Sequence, residues 1–141
     1  MSTTSPSLPP RAVVARLFRL FGQGRLEETF ELMHADVELN EPGDPSRLPW
    51  AGQFRGHEGL QRFYDGLATG LARVEIDPDS LRLTRLDDER VLALGTERGI
   101  SAETGKAYAS HSAWIWTVRD GLISHLVAFH DTAAMQDAMT A

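Results

Sequence analysis

The sequence predicts an α+β domain: a curved antiparallel sheet covered by three N-terminal helices, with a short helix at the C-terminal end. Three observations predict it. Apolar residues recur at helical spacing in the first half of the chain. The second half switches to β-rich runs. Those runs are separated by turn chemistry, including an Asp-Gly pair between two strands. Helices followed by a meander of long strands place the helices on one face of the sheet.

Residues 1–10 (MSTTSPSLPP) offer little to bury and read as a flexible tail, leaving 11–141 as a single domain. Val13, Val14, Leu17, Phe18, Leu20 and Phe21 form the apolar stripe of the first helix, which Gly22 and Gly24 stop. The second helix is short. It carries Leu26, Phe30 and Met33 inward, and Glu27, Glu28 and Glu31 in its first turns, where carboxylates suit the helix dipole. His34 falls at its end. Residues 36–41 read as a strand closed by Pro42. The stretch 42–56 has three prolines and three glycines and reads as a loop, yet its Trp50 and Phe54 need cover.

The third helix starts near Gly56 and buries Leu60, Phe63, Tyr64, Leu67 and Leu71. Strands are predicted near 72–76, 80–86, 90–102, 106–119 and 121–130. Asp77-Pro78-Asp79, Asp87-Asp88-Glu89, Thr104-Gly105 and Asp120-Gly121 supply the turns. The last helix begins at Thr132 with Asp131 as its cap.

Composition excludes several function classes. The 14 basic residues against 20 acidic ones give a net charge of −6, and the basic residues are scattered, which argues against nucleic acid as a partner. Without cysteine there is neither a disulfide framework nor a thiolate metal site. The five histidines lack metal-ligand spacing, so no metal is expected. No secretory signal and no membrane-spanning run is visible, so the expected location is cytoplasmic, away from membranes.

Strand alternation sorts the remaining residues into faces. On 106–119 one set is Ser110, Ser112, Trp114, Trp116 and Val118. The other is Ala109, His111, Ala113, Ile115 and Thr117. On 121–130 the sets are Leu122, Ser124, Leu126, Ala128 and His130, against Ile123, His125, Val127 and Phe129. Alternation alone leaves open which set points inward. A sheet apolar on both faces calls for a partner on its outer face, so a homodimer through that face is expected. His111 and His125 are assigned to it, and His57 to an exposed first helical turn.

Several segments resemble the SnoaL-like, ketosteroid isomerase-related branch of the nuclear transport factor 2-like superfamily. They are Leu48-Pro49-Trp50-Ala51-Gly52, Phe54-Arg55-Gly56-His57-Glu58-Gly59, Arg62-Phe63-Tyr64, Val118-Arg119-Asp120-Gly121-Leu122-Ile123 and Phe129-His130-Asp131-Thr132-Ala133-Ala134. The resemblance covers residues 11–140 and implies a cone-shaped sheet with a small-molecule pocket. It implies that Trp114, Ala128 and His130 face inward. By position in Asn40-Glu41-Pro42, Glu41 matches the acidic general base of the isomerases. Leu17 and Trp114 stand where the isomerases carry their oxyanion donors. Ala128 and Trp114 stand where the SnoaL cyclases carry an Asp and a His. The Asp-Arg-Asp set of the related epoxide hydrolases is not evident.

Two candidate catalytic residues follow. Glu41 at the edge of an apolar cavity would have a raised pKa, suited to general acid or base work. The alternative for it is a solvated Glu at a strand end. An inward His130 titrates near neutrality and could pass a proton or donate to a ligand oxygen. The alternative there is a hydrogen-bonded rim histidine. Candidate ligand contacts are Leu17 on the first helix and Trp50 and Phe54 in the loop. On the strands they are Ser112, Trp114, Trp116, Leu126 and Ala128, with the two indoles as walls for a flat ring. The partner is then a small hydrophobic molecule. The chemistry would be cofactor-independent proton transfer of isomerase, cyclase or lyase type, with Glu41 as base. A non-catalytic binder of an apolar ligand and a structural module whose cone is filled by Trp side chains are the alternatives. An inward Glu41 beside a polar partner favours the enzyme.

Overall fold

The structure, a computed structural model, describes residues 8–141. Residues 1–7 of the expected N-terminal tail lie outside the described residues. Helix α1 spans Pro10–Gly22 with Pro10 in its first turn, where the missing N–H costs nothing. Its buried side chains are Val13, Val14, Leu17 and Leu20, the stripe that the helical spacing predicts. Gly24, at φ 71°, ends the segment.

The second helix is shorter than its pattern suggests. α2 covers only Leu26–Thr29, a 3₁₀ turn takes Phe30–Leu32, and β1 runs Met33–Glu41. His34 is therefore an exposed strand residue and not the end of a helix. Met33 is buried from the strand. The expected loop also contains a strand. β2, Gly52–Arg55, pairs with Glu38–Glu41 of β1. The rest of that segment plugs the core, with Leu48 and Trp50 at 0% and 1% exposure.

Helix α3 spans Gly56–Gly70 and buries Leu60, Tyr64 and Leu67. It lies against the Trp50 loop so closely that a Cβ on Gly66 would fall 2.3 Å from the Pro49 carbonyl oxygen. Strands β3 (Leu71–Ile76), β4 (Arg82–Arg85), β5 (Arg90–Ser101), β6 (Ala107–Arg119) and β7 (Leu122–Phe129) follow, and α4 (Thr132–Met139) closes the chain. The Asp131 side chain accepts a 3.0 Å hydrogen bond from the Ala134 N–H, the cap that its position predicts.

The sheet order is β2-β1-β7-β6-β5-β3, with β4 also on β5. β3 pairs with Glu97–Ser101 and β4 with Val91–Leu94 of the same long strand. Asp120 and Gly121, at φ 53° and 78°, make the tight β6–β7 turn that needs two positive φ values. One pair is parallel, β1 beside β7. That pairing brings the end of the first strand next to the end of the last. Register shifts in the β1–β7, β3–β5 and β6–β7 pairs bend the sheet. Helices α1 and α3 cover its concave side.

The inward sets are now fixed. On β6 they are Ser110, Ser112, Trp114, Trp116 and Val118, all buried. On β7 the inward residues are Leu126 and Ala128, as in the expected set, but Ile123 replaces Leu122 and Ser124. The cause is the register shift: Thr117 opposes His125 while Val118 opposes Ile123, so Ser124 is the extra residue and the alternation changes phase there.

Candidate functional site

The concave side of the sheet and helices α1 and α3 enclose a cavity of about 640 Å³, its open mouth included. Aromatic rings dominate the lining. Phe18 of α1 packs edge-on against both Trp114 and Trp116, with ring centroids 5.3 and 5.9 Å apart. The two indoles line the cavity and take up much of the cone, so the enclosed part is small. Trp116 Nε1 is buried and is the one such side-chain donor without a partner among the described residues.

Glu41 is the last residue of β1, on the inward phase of Val37 and Leu39. His130 directly follows β7. The parallel β1–β7 pairing brings the two together: His130 Nε2 lies 3.1 Å from Glu41 Oε2, with side-chain exposures of 3% and 4%. The imidazole also stands edge-on to Trp114, centroids 5.6 Å apart. On its other side His130 Nδ1 lies 2.7 Å from Ser112 Oγ. Ser112 Oγ is 2.9 Å from Ser110 Oγ, which accepts from the Asp131 backbone N–H at 2.8 Å.

Beside an ionised Glu41, a neutral imidazole donates from Nε2–H to the carboxylate and accepts at Nδ1 from Ser112; beside a protonated Glu41 both directions reverse. The order Ser112–His130–Glu41 superficially matches a nucleophilic triad. However, Ser112 is off the lining of this cavity, so toward it the hydroxyl acts by holding the imidazole.

Electrostatics tune the pair. Burial pushes the Glu41 carboxyl above its usual range, and the nearby Glu97 adds to this. The hydrogen bond and charge of His130 oppose it without cancelling it. For His130, burial alone would lower the pKa, but the bond to Glu41 and the charges of Glu41 and Glu97 outweigh it and hold it above the ordinary imidazole value. The pair therefore retains a proton that either partner can give or take.

A second acid lines the same cavity. Glu97 of β5 is buried and accepts a 2.7 Å hydrogen bond from the Tyr108 hydroxyl. Burial, with the adjacent Glu97 charge, pushes the Tyr108 phenol far up, so it acts as a fixed donor. Gly99 makes this contact possible. A Cβ there would lie 2.2 Å from the Tyr108 ring, which crosses the strand over that position. A third hydroxyl group, Tyr64, is tied to Thr29 at 2.6 Å, and burial pushes its pKa up to about 12.

The structure brings together most of the predicted contacts. Leu17, Trp50, Trp114, Trp116 and Leu126 line the cavity with Glu41 and His130. Phe54, Ser112 and Ala128 do not. Phe54 is half-buried against Phe63, 5.7 Å away, and Ala128 is buried. His57 is exposed, bonded to the Met33 carbonyl oxygen, and His111 and His125 lie on the outer face. Glu97, Tyr108 and Ser110 were not anticipated as site residues. A signal for Glu97 existed: it interrupts the otherwise small and apolar phase Val91, Ala93, Gly95, Gly99 of β5.

Comparisons with known proteins agree with this fold. The profile of the SnoaL-like domain family matches residues 14–126. No curated protein matches the sequence. Among solved structures, a nuclear transport factor 2-like protein of unknown function from Burkholderia pseudomallei is 22% identical. It superposes with a TM-score of 0.82 over 95% of this chain and 99% of that one. TerC, crystallised with polyporic acid, gives 22% identity and a TM-score of 0.82 over 95% and 100%. A Xanthomonas campestris protein provisionally named a polyketide cyclase gives 16% identity and 0.79 over 96% and 100%. These likenesses establish the fold, and the profile match covers most of the sequence. The chain therefore belongs to the SnoaL-like domain family, with the fold of nuclear transport factor 2-like proteins.

Proposed function

We propose that the protein is a cofactor-independent acid–base enzyme of isomerase, cyclase or lyase type, acting on an apolar cyclic substrate in the concave cavity. The observation that carries this reading is the Glu41–His130 contact at 3.1 Å, sealed from solvent at the wall of an aromatic cavity. Glu41 removes or returns a proton at the substrate. His130 steadies the carboxylate and shares the proton. The buried Trp116 Nε1 is free to donate to a substrate oxygen, a donor that would strengthen as negative charge develops there. Trp114 and Trp116 supply a flat wall for the ring. The TerC complex with polyporic acid supports the ligand type, and the provisional name of the Xanthomonas protein supports the reaction type. The test is proton–deuterium exchange into a panel of cyclic carbonyl compounds, comparing the wild type with Glu41→Gln. Loss of exchange in the variant supports the assignment, and unchanged exchange removes Glu41 from the mechanism.

The alternative is a binder without catalysis, favoured by the absence of the usual SnoaL and isomerase side chains at Leu17, Trp114 and Ala128. It predicts tight binding with no exchange in the same panel.

We also propose a homodimer through the outer sheet face, where Leu94, Ile100 and Phe129 are exposed. Sedimentation at micromolar concentration tests it: a monomeric wild type overturns it, and a dimer dissociated by Phe129→Glu supports it.

A further inference from the structure

We propose that the cavity selects ligands carrying an ammonium group on an apolar or aromatic ring, with Glu97 as the counter-ion. The inference shares with the proposed function the premise that the cavity is a ligand site, and it does not depend on catalysis.

It starts from a charge balance. Three titratable side chains other than tyrosine line the cavity: Glu41, Glu97 and His130. Glu41 has His130 as its partner, 3.1 Å away. Glu97 is left over. It is 8% exposed, and among the described residues it forms no ion pair with an Arg, Lys or His. Its one side-chain donor is the Tyr108 hydroxyl, on Oε2, and Oε1 has no hydrogen-bond partner among the described residues. A carboxylate withdrawn from water is costly unless a cation or several donors satisfy it. No Arg or Lys lines the cavity to provide that charge.

The rest of the wall has the chemistry that goes with a bound cation. Phe18, Phe21, Phe63, Trp114 and Trp116 face the same space. Aromatic faces attract ammonium groups, most strongly where water is excluded. An anionic ligand would meet two acids and one histidine that is already paired with Glu41. A neutral ring would fill the aromatic wall but leave Glu97 uncompensated. An ammonium-bearing ring satisfies both. The placement of Glu97 is specific: Tyr108 reaches it across Gly99, the position on β5 where any side chain would collide with the phenol ring.

The test titrates the full chain with benzylamine, benzyl alcohol and benzoate, probes that differ chiefly in the polar group. Binding is read by calorimetry and by the indole N–H signals of Trp114 and Trp116 in NMR. Benzylamine is expected to bind about tenfold tighter than benzyl alcohol, with benzoate weakest. Benzyltrimethylammonium, whose charge cannot titrate, should share the preference if the cation is what is read. In Glu97→Gln the amine should fall to the affinity of the alcohol while the alcohol itself is unchanged. Equal binding of amine and alcohol to the wild type overturns the inference and leaves the Glu41 mechanism to its own exchange assay. A preference that persists in Glu97→Gln also overturns it, because the selectivity then comes from elsewhere. If that variant does not fold, the wild-type ranking decides. Absence of binding by every probe, with silent indole signals, overturns this inference and the cavity reading together.

Discussion

His130 joins Glu41 to Ser112: its Nε2 stands 3.1 Å from the carboxylate and its Nδ1 2.7 Å from the hydroxyl. An imidazole held at both nitrogens has its orientation set before any ligand arrives. The prediction for the carboxylate follows. Glu41→Gln keeps the shape and the contact to Nε2 but cannot take a proton. Turnover in the exchange assay should fall by about 10²–10⁴, the range for a positioned general base. Thermal denaturation should show that the variant still folds.

Ser112→Ala separates support from chemistry. It leaves Nδ1 of a buried imidazole without its partner, an unsatisfied polar group worth about 1–3 kcal/mol of stability. Nitrogen NMR of His130 should show a changed tautomer balance, and the pH profile of exchange should shift. Ser112→Thr, which restores a hydroxyl, should recover the balance. A wild-type spectrum in the alanine variant would show that Ser112 does not hold the ring.

Much of the frame was legible because it is local. The α1 stripe at Val13, Val14, Leu17 and Leu20, the Asp120-Gly121 turn and the Asp131 cap each depend on residues a few positions apart. The site is not local. Glu41 and His130 are 89 residues apart and meet only because β1 lies parallel beside β7, a pairing that no turn motif announces. Phase is the other thing alternation could not carry: the extra residue at Ser124 moves Ile123 onto the inner face and Leu122 off it. β2 was hidden for a third reason, since Gly52–Arg55 is four residues long and sits among prolines and glycines whose composition reads as loop.

Gly99→Ala tests the support of Glu97. The added methyl would fall 2.2 Å from the Tyr108 ring, inside van der Waals contact, so the phenol must move off its strand-crossing position. Overpacking of this kind costs about 1–3 kcal/mol. The urea midpoint should drop accordingly. In a double-mutant cycle with Tyr108→Ala the two losses should be strongly non-additive, because the second change removes the colliding ring. Additive losses would mean that the strain lies elsewhere.

The pH dependence of stability carries the sign of the buried pair. Both groups have folded pKa values above their ordinary ones, 4.5 for Glu41 and 6.5 for His130. The folded chain therefore binds more protons than the unfolded chain through this window, and stability must fall as pH rises across it. For Glu41 the loss begins near 4.5, as the unfolded carboxyl ionises and the buried one does not. For His130 the stabilisation is complete below 6.5 and disappears as pH passes its higher folded value. The pair should therefore lower stability as pH rises from about 4.5 to beyond 6.5. Urea unfolding of the wild type and of Glu41→Gln/His130→Gln at a series of pH values isolates the effect from the exposed carboxylates, which both proteins share. The double variant should show the shallower decline. Equal slopes would mean that the pair exchanges no net proton with solvent on folding.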